Sequence, residues 1–306
     1  MQVKHPLHGL VAAVHTPFHS DGSLNLAVVE RQAAHLLSNR VNNVFIGGTT
    51  GECTSLTLDE RRVLTQRWSE VARGTALRLV VHVGSNCLSD ARVLAAQAQQ
   101  LGANAISAFA PSYFKPGSID TLIACCADIA SAAPETPFYF YDIPGLTSVS
   151  LPMPEFLEKA PARIPTLAGL KFTNPDLMAY LLCLQAGGGK WDIPWGMDEW
   201  MLGALATGAR GAVGSSFNFA APLYHELIAA FNRCDFKVAR TAQRRSAELI
   251  ALLARHGYMG AAKATMSMLG VDVGPPRLPN DSLTADQQRT LRRELETLGF
   301  FDWIRA

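Results

Sequence analysis

The chain alternates short apolar runs with longer stretches in which apolar residues recur at helical spacing. The short runs predict strands at residues 9–14, 43–46, 78–83, 105–109, 137–141, 166–171, 192–195 and 211–213. The amphipathic stretches predict helices at residues 27–37, 58–73, 89–101, 118–130, 153–159, 175–184, 199–207 and 221–232. Strands that alternate with helices in this way indicate a parallel sheet with right-handed crossovers.

The number of repeated units decides between two parallel architectures. Eight β/α units favour a closed (β/α)8 TIM barrel, an α/β fold. A doubly wound open sheet is the alternative, but it usually has fewer strands, and no G-x-G-x-x-G motif follows the first predicted strand. After about residue 235 the pattern predicts only helices, over 236–256, over 260–269, and from an N-cap at Ser282 to about Leu298. We therefore predict a barrel over residues 1–234 and a C-terminal helical extension over residues 235–306.

Composition narrows the classes of partner. The 306 residues carry 27 basic and 26 acidic side chains without a basic run, so nucleic acid is not an expected partner. The six cysteines show neither a Cys-x-x-Cys motif nor zinc-finger spacing, which fits free thiols in a reducing compartment. No secretory signal and no apolar stretch of membrane-spanning length stands out. These features predict a cytoplasmic protein with no membrane partner.

Lys171 is the most informative single residue. It ends the predicted strand 166–171, and a lone ammonium in the core of a strand is costly unless it is paired or neutralised. One interpretation is a lysine whose stem covers apolar surface while its head reaches water. The other is a nucleophile, because a lysine that has lost its proton can form a Schiff base with a carbonyl compound. The strand alone does not decide between them.

Polar residues follow the other predicted strands at their carboxyl ends, where the active site of such a barrel lies. The second strand leads into Gly47-Gly48-Thr49-Thr50-Gly51-Glu52, whose amides and hydroxyls could hold a carboxylate, although an ordinary glycine-rich turn has the same composition. The further candidates on this rim are Tyr113, Tyr141, Thr173, Gly196, Asp198, Glu199 and Ser215. Together they predict a site that combines a nucleophile, a phenol, hydroxyls and carboxylates.

Two other kinds of site receive less support from the sequence. His15 and His82 lie near strand ends, but no further His, Asp or Glu joins them at convincing ligand spacing, so we expect no metal. Lys263 lies in an Ala- and Met-rich helix beyond the barrel. We interpret it as a surface or interface lysine whose stem covers apolar side chains.

At this point the motifs resemble those of the pyruvate-dependent Schiff-base aldolases, the family that contains N-acetylneuraminate lyase and dihydrodipicolinate synthase. The resemblance extends from about Gly9 to Pro279. It rests on the segment 47–52, on Tyr141-Asp142-Ile143-Pro144, on Gly169-Leu170-Lys171-Phe172-Thr173, and on the tail that contains Lys263, Leu269-Gly270 and Arg277-Leu278-Pro279. The conjunction is far more specific than any one motif and favours Lys171 as the nucleophile.

The resemblance implies a role for each matching position. Lys171 would form the imine with pyruvate or another 2-keto acid, and Thr50 would hold the carboxylate. Tyr141, helped by Thr49, would shuttle a proton as the carbon–carbon bond breaks or forms. Tyr113 would complete the site of a neighbouring subunit, which implies a homotetramer built as a dimer of dimers. Since the protonated imine is the electron sink, the resemblance implies no metal and no organic cofactor.

The branch of the family depends on the residues around the second substrate. The synthase branch usually has an arginine where this chain has Leu146, and leucine cannot bind a carboxylate. The lyase branch carries Gly-x-Asp-Glu, present here as 196–199, and Gly-Ser, present as 214–215; with Thr173 these would bind the hydroxyls of a sugar acid. Asp142 departs from the lyase pattern, where Asn or His is more usual, and leaves the exact sugar open.

We therefore expect a lyase that reversibly cleaves N-acetylneuraminate, or a related 2-keto-3-deoxy sugar acid, to pyruvate and an aldose such as N-acetylmannosamine. The synthase, or an aldolase for another sugar acid, is the alternative within the family. A sensor that only binds sugar acids would need neither Lys171 nor Tyr141. A metal-dependent barrel hydrolase is the third alternative, and insensitivity to a chelator would exclude it.

Overall fold

The computed structural model describes residues 6–305 and contains seven parallel strands. They are β1 (Gly9–Ala13), β2 (Asn43–Ile46), β3 (Arg78–His82), β4 (Ala105–Phe109), β5 (Phe138–Asp142), β6 (Leu167–Phe172) and β7 (Gly211–Gly214). Their order in the sheet is β6-β5-β4-β3-β2-β1-β7, so neighbours along the chain are neighbours in space until the sheet returns to β1. Nearly every strand residue is buried, as expected for a parallel sheet that is covered on both faces.

The gap between β6 and β7 is closed by the segment 192–195, which was predicted as a strand. It forms only isolated parallel bridges, from Asp192 to Gly169 and from Trp195 to Phe172 and Ala212. Pro194 gives the reason, since proline has no N–H to donate to a ladder. Its carbonyl still accepts a hydrogen bond from the Phe172 amide at 3.0 Å. The closed barrel is thus confirmed, with an eighth segment that is not a regular strand.

Helices connect consecutive strands around the barrel. They are α1 (Val28–Ser38), α2 (Leu58–Ala72), α3 (Leu88–Gln100), α4 (Ile119–Ser131), α5 (Pro144–Thr147), α6 (Met153–Lys159), α7 (Leu177–Gly189), α8 (Met201–Thr207) and α9 (Phe217–Asn232). Local sequence explains where several of them begin. Thr57 and Glu60 form a capping box at α2, and Asp176 accepts a hydrogen bond from the Ala179 amide at α7.

Four helices follow the barrel: α10 (Phe236–Arg255), α11 (Tyr258–Met268), α12 (Ala285–Leu298) and α13 (Phe300–Trp303). The predicted N-cap of α12 was wrong by two residues. Thr284, not Ser282, caps this helix, because Thr284 forms a capping box with Gln287. The α10 side chain of Gln243 donates to the carbonyl of Glu199 at 2.7 Å, so this helix supports a loop of the barrel mouth. The division of the chain at residues 234 and 235 stays a prediction.

Strand side chains alternate between two apolar layers. Inward residues such as Phe45, Val80, Tyr139 and Tyr141 fill the barrel interior, while the residues between them pack outward against the helices. The inward residues nearest the carboxyl ends of the strands therefore converge at the barrel mouth. Within residues 6–305, no helix is long and apolar enough to cross a membrane.

Candidate active site

Lys171 lies in β6 with only 4% of its surface exposed. Its Nζ is 3.8 Å from the centroid of the Tyr141 ring and 4.2 Å from that of Phe45. Lys171 and Tyr141 are also direct partners in the β5–β6 ladder. Among the ion pairs of the described residues, none includes Lys171. An amine held between two rings and free of a salt bridge is available for nucleophilic attack once it is deprotonated.

The predicted partner of Tyr141 lies beside it. The hydroxyls of Tyr141 and Thr49 are 3.3 Å apart, so a proton can be shared between them. Thr49 and Thr50 are half-buried in the loop after β2, which places them at the barrel mouth. The loop needs its glycines, because a Cβ at Gly51 would lie 3.0 Å from the Cα of Gly47. The Thr16 hydroxyl fixes the loop from below by donating to the Gly51 carbonyl at 2.6 Å.

The same loop is anchored by an ion pair that the sequence analysis did not predict. Glu52 is buried in the left-handed backbone region with φ of 54°, and its Oε1 is 2.7 Å from Nζ of Lys263. Its Oε2 accepts a hydrogen bond from the Arg277 amide at 2.8 Å. The loop that carries Thr49 and Thr50 is therefore held by the C-terminal part of the chain.

The interpretation of Lys263 as a surface lysine was wrong. It is 2% exposed, and its Nζ donates to the carbonyls of Thr16 at 2.9 Å and Pro275 at 3.0 Å, in addition to pairing with Glu52. Burial lowers the pKa of Lys263 to about 8, and the Glu52 carboxylate opposes that shift. With every proton of its ammonium engaged, this lysine is structural. The sequence signal that could have revealed this buried ion pair is Glu52, a carboxylate at the end of segment 47–52 to which no function was assigned.

Thr173 and Gly196 meet at the next part of the rim. The Gly196 amide donates to the Phe172 carbonyl at 2.7 Å. A Cβ at position 196 would lie 1.9 Å from Oγ1 of Thr173, so only glycine leaves room for the threonine. Oγ1 of Thr173 is buried and has no hydrogen-bond partner within the described chain. A buried hydroxyl without a partner is unfavourable, so a hydrogen bond to a bound ligand would stabilise it.

Asp198 and Glu199, the two carboxylates that follow segment 192–195, have different surroundings. Asp198 is buried, and its Oδ2 accepts hydrogen bonds from the amide, at 2.9 Å, and from the hydroxyl of Ser216. Burial raises the pKa of Asp198, and the Ser216 bonds partly oppose the shift. Glu199 is half-buried, and burial raises its pKa as well. Asp198 thus shapes the rim through Ser216, while Glu199 is the more accessible carboxylate.

Ser215 has a partner from the C-terminal helices. Its hydroxyl lies 2.7 Å from that of Tyr258, the first residue of α11. Neither Tyr258 nor Ser216 was among the predicted site residues. Tyr258 is separated from Ser215 by an entire helical hairpin, so local sequence offers no signal that would join them.

Tyr113 is the only predicted site residue that is exposed to solvent in this structure. It is 78% exposed, and its ring makes an edge contact with Phe114 at 5.1 Å between centroids. Its amide donates to Oδ1 of Asn86, which fixes the loop after β4. An aromatic pair left in solvent suits a residue that acts across a contact with another molecule.

The histidines considered as metal ligands lie inside the protein. His15 and His82 are fully buried, and burial lowers the pKa of both, that of His15 to about 3. The His82 ring packs against Phe109 at 4.6 Å and Tyr141 at 5.7 Å between centroids. Over residues 6–305 no group of three His, Cys, Asp or Glu side chains could hold a metal ion.

Known proteins share both the sequence and the fold. The family model described as the dihydrodipicolinate synthetase family matches residues 6–298. N-acetylneuraminate lyase of Xenopus tropicalis is 39% identical over 293 residues, covering 94% of this chain and 96% of that protein. The lyase of Gallus gallus is 38% identical and covers 99% of each chain. The solved N-acetylneuraminate lyase of Proteus mirabilis superposes with a TM-score of 0.94 at 38% identity, over 97% of this chain and 100% of that one.

Proposed function

This chain belongs to the dihydrodipicolinate synthetase family, and on that premise we propose that it is a Schiff-base aldolase acting on sugar acids. The proposed reaction is the reversible cleavage of N-acetylneuraminate, or of a related 2-keto-3-deoxy sugar acid, to pyruvate and an aldose such as N-acetylmannosamine. The observation that carries the proposal is the unpaired Lys171 amine between the rings of Tyr141 and Phe45. The known proteins that are similar to this chain include several N-acetylneuraminate lyases.

The geometry supports one sequence of steps. The Lys171 amine attacks the ketone carbon of the sugar acid, and water leaves as the protonated imine forms. The imine then accepts the electron pair of the carbon–carbon bond as that bond breaks. The Tyr141 oxygen takes the proton of the substrate hydroxyl that becomes the aldehyde, while the phenol passes its own proton on through the Thr49 hydroxyl 3.3 Å away. The enamine left on Lys171 is protonated at carbon, and hydrolysis releases pyruvate and the free amine.

The two ends of the substrate would be bound by different parts of the rim. We assign the binding of the substrate carboxylate to Thr50 and to the amides of its glycine-rich loop. At the other end, the unpaired Thr173 hydroxyl, the half-buried Glu199 and Ser215 offer donors and acceptors for a polyhydroxylated tail. Asp198 supports that end mainly through Ser216. The Gly196 backbone makes the space that Thr173 occupies.

Leu146 separates this function from the synthase alternative. It lies on α5, directly after the strand that carries Tyr141, and it is 65% exposed. The resemblance would require an arginine there to bind the carboxylate of aspartate semialdehyde, and an aliphatic side chain cannot do so. A neutral side chain is compatible with an aldose, which carries no carboxylate.

The test is a direct comparison of two reactions on the purified protein. We expect cleavage of N-acetylneuraminate, followed as pyruvate release, and no condensation of pyruvate with aspartate semialdehyde. Condensation without cleavage would contradict the lyase assignment and favour the synthase. If neither reaction proceeds while pyruvate is still trapped on Lys171 by borohydride, the substrate is another sugar acid.

We also propose that the protein is a homotetramer, a dimer of dimers, because two apolar surfaces are exposed. One is the pair Tyr113 and Phe114, which are 78% and 87% exposed. The other comprises Met178, Leu181, Leu182 and Trp200, on and beside α7. Separate exposed apolar patches of this kind mark interaction sites, and two different contacts are what a dimer of dimers requires.

In such an assembly Tyr113 would complete the partner's site, which a mixing experiment can test. Tyr113→Ala and Lys171→Ala proteins should each be nearly inactive alone. After co-refolding or co-expression, a mixed dimer pairs an intact Lys171 with an intact Tyr113, so about a quarter of the wild-type activity should return with random pairing. Native mass spectrometry would verify that mixed assemblies form. Mixed assemblies without recovered activity would contradict the role of Tyr113.

We propose the cytoplasm as the location. All six cysteines are free thiols, and two of them, Cys87 and Cys234, are exposed. Exposed free thiols persist in reducing compartments and are oxidised elsewhere.

A further inference from the structure

Asp142 is a buried carboxyl that the proposed reaction does not use. It is the last residue of β5, directly after Tyr141, and it is 3% exposed. Because side chains alternate along a strand, Asp142 lies on the face opposite to Tyr141. The outward residue before it on that face, Phe140, packs on Phe156 of α6. Asp142 therefore lies behind the barrel wall, on the face of β5 opposite to Tyr141.

What Asp142 does touch is the segment that carries Thr173. Its Oδ2 accepts a hydrogen bond from Nδ2 of Asn174 at 3.3 Å, and its backbone carbonyl accepts one from the Thr173 amide at 2.8 Å. Oδ1 of Asn174 in turn accepts from the Asp176 amide at 3.1 Å, at the start of α7. One residue of β5 thus fixes the whole turn between β6 and α7, by its backbone and by its side chain.

This attachment matters because Thr173 has little else to fix it. Its hydroxyl oxygen has no hydrogen-bond partner within the described chain, so its position depends on the backbone of the turn and on the space left by Gly196. We propose that Asp142 is a positioning residue whose carboxylate holds the Thr173–Asn174 turn in place for binding the hydroxyls of the sugar acid, and releases it on protonation. The inference rests on the proposed function, in which Thr173 binds those hydroxyls.

The surroundings of Asp142 make it responsive near neutral pH. Burial raises the pKa of Asp142 to about 6, and the Asn174 hydrogen bond opposes the shift. The ionisable group that faces it from α7 is Cys183, whose thiol pKa is raised by burial and then by the charges of Asp142 and Asp176. Its partner on β6, Phe172, is apolar. No cation appears among the groups that set its pKa, so proton loss leaves a carboxylate stabilised by the Asn174 amide.

The direction of the pH effect follows. Above about pH 6 the ionised carboxylate accepts a charge-assisted hydrogen bond from Asn174. Below it, the neutral acid is a weaker acceptor, and the turn is held less firmly. The apparent KM for the sugar acid should therefore rise as the pH falls through about 6, while at each pH the capture of pyruvate on Lys171 should be the same with and without the Asp142 carboxylate.

Two substitutions test this in the full-length protein. Asp142→Asn keeps a carbonyl acceptor of the same size but cannot titrate, so the KM for N-acetylneuraminate should lose its rise below about pH 6. At pH 7.5 its kcat should stay within about twofold of wild type. Asp142→Leu removes the acceptor, so at pH 7.5 its KM should exceed that of wild type by about tenfold or more, since a charged hydrogen bond is lost. Below about pH 6 this difference should narrow, because the wild-type carboxyl is then protonated. Pyruvate trapping with borohydride should be the same in all three proteins.

Asp192→Asn is the matched control. Asp192 is also a buried carboxylate, but its Oδ2 accepts from the Tyr139 hydroxyl and the Leu7 amide, both at 2.6 Å, at the other end of the barrel. Its loss should lower stability without altering the pH dependence of KM. The proposal is overturned if wild type and Asp142→Asn share one pH profile, whether or not Asp142→Leu folds. If the wild type traps pyruvate but cleaves no N-acetylneuraminate, the proposed substrate is wrong, and the role of Asp142 falls with it.

Discussion

Lys171→Ala should abolish cleavage of the sugar acid, with turnover reduced by at least about 10⁴-fold, as expected when a covalent nucleophile is removed. Among residues 6–305, no second amine is placed to replace it. The other buried lysine, Lys263, is engaged by Glu52 and by two backbone carbonyls. Turnover by the alanine variant within tenfold of wild type would contradict the proposed mechanism.

The covalent intermediate can be located directly. Pyruvate with borohydride should add one reduced pyruvyl group to each chain, and peptide mapping by mass spectrometry should place it on Lys171. Lys171→Ala should show no label. Lys263 is the internal control, because its burial and its ion pair with Glu52 at 2.7 Å keep its Nζ out of reach of pyruvate. Label on the peptide that contains Lys263 would overturn the assignment of the nucleophile.

The same substitution should leave the fold intact. The Lys171 ammonium has no carboxylate partner among the ion pairs of residues 6–305, and its Nζ lies against the rings of Tyr141 and Phe45. Replacing an unpaired buried cation removes a desolvation cost, which offsets the packing lost with the side chain. Circular dichroism and thermal unfolding of Lys171→Ala should therefore match the wild type closely, so the loss of turnover can be assigned to chemistry.

The rim of the barrel could be predicted from the sequence because each strand has a recognisable local pattern of apolar residues. The segments around Lys171 and Tyr141 are short buried runs with polar residues at their carboxyl ends, and the barrel brings such ends together. Segment 192–195 shows the limit, since a proline within an apolar run removes ladder hydrogen bonds without removing the run's place in the sheet. The position of the segment was predictable, but its regularity was not.

The supporting contacts escaped prediction because they join distant parts of the chain. Glu52 and Lys263 are 211 positions apart, and although Glu52 is a carboxylate without an assigned role, nothing in the local sequence identifies Lys263 as its partner. The hydroxyl pair of Ser215 and Tyr258 likewise joins β7 to α11 across α9 and α10. Periodicity identifies which face of an element is buried, but it does not identify the partner. The family resemblance was enough to predict the reacting residues, but only the folded structure shows which contacts hold them in place.

Tyr141→Phe should separate imine formation from bond cleavage. The substitution keeps the ring that lies 3.8 Å from Nζ of Lys171 and removes only the hydroxyl that lies 3.3 Å from Thr49. General acid–base groups contribute roughly 10²- to 10⁴-fold, so kcat should fall by about that factor while borohydride still traps pyruvate on Lys171. Tyr139→Phe is the matched control, because its hydroxyl donates to Asp192 at 2.6 Å, away from the amine. That control should lose stability and retain turnover. Unchanged turnover in Tyr141→Phe would exclude the phenol from proton transfer, leaving Thr49 or a bound water to carry the proton.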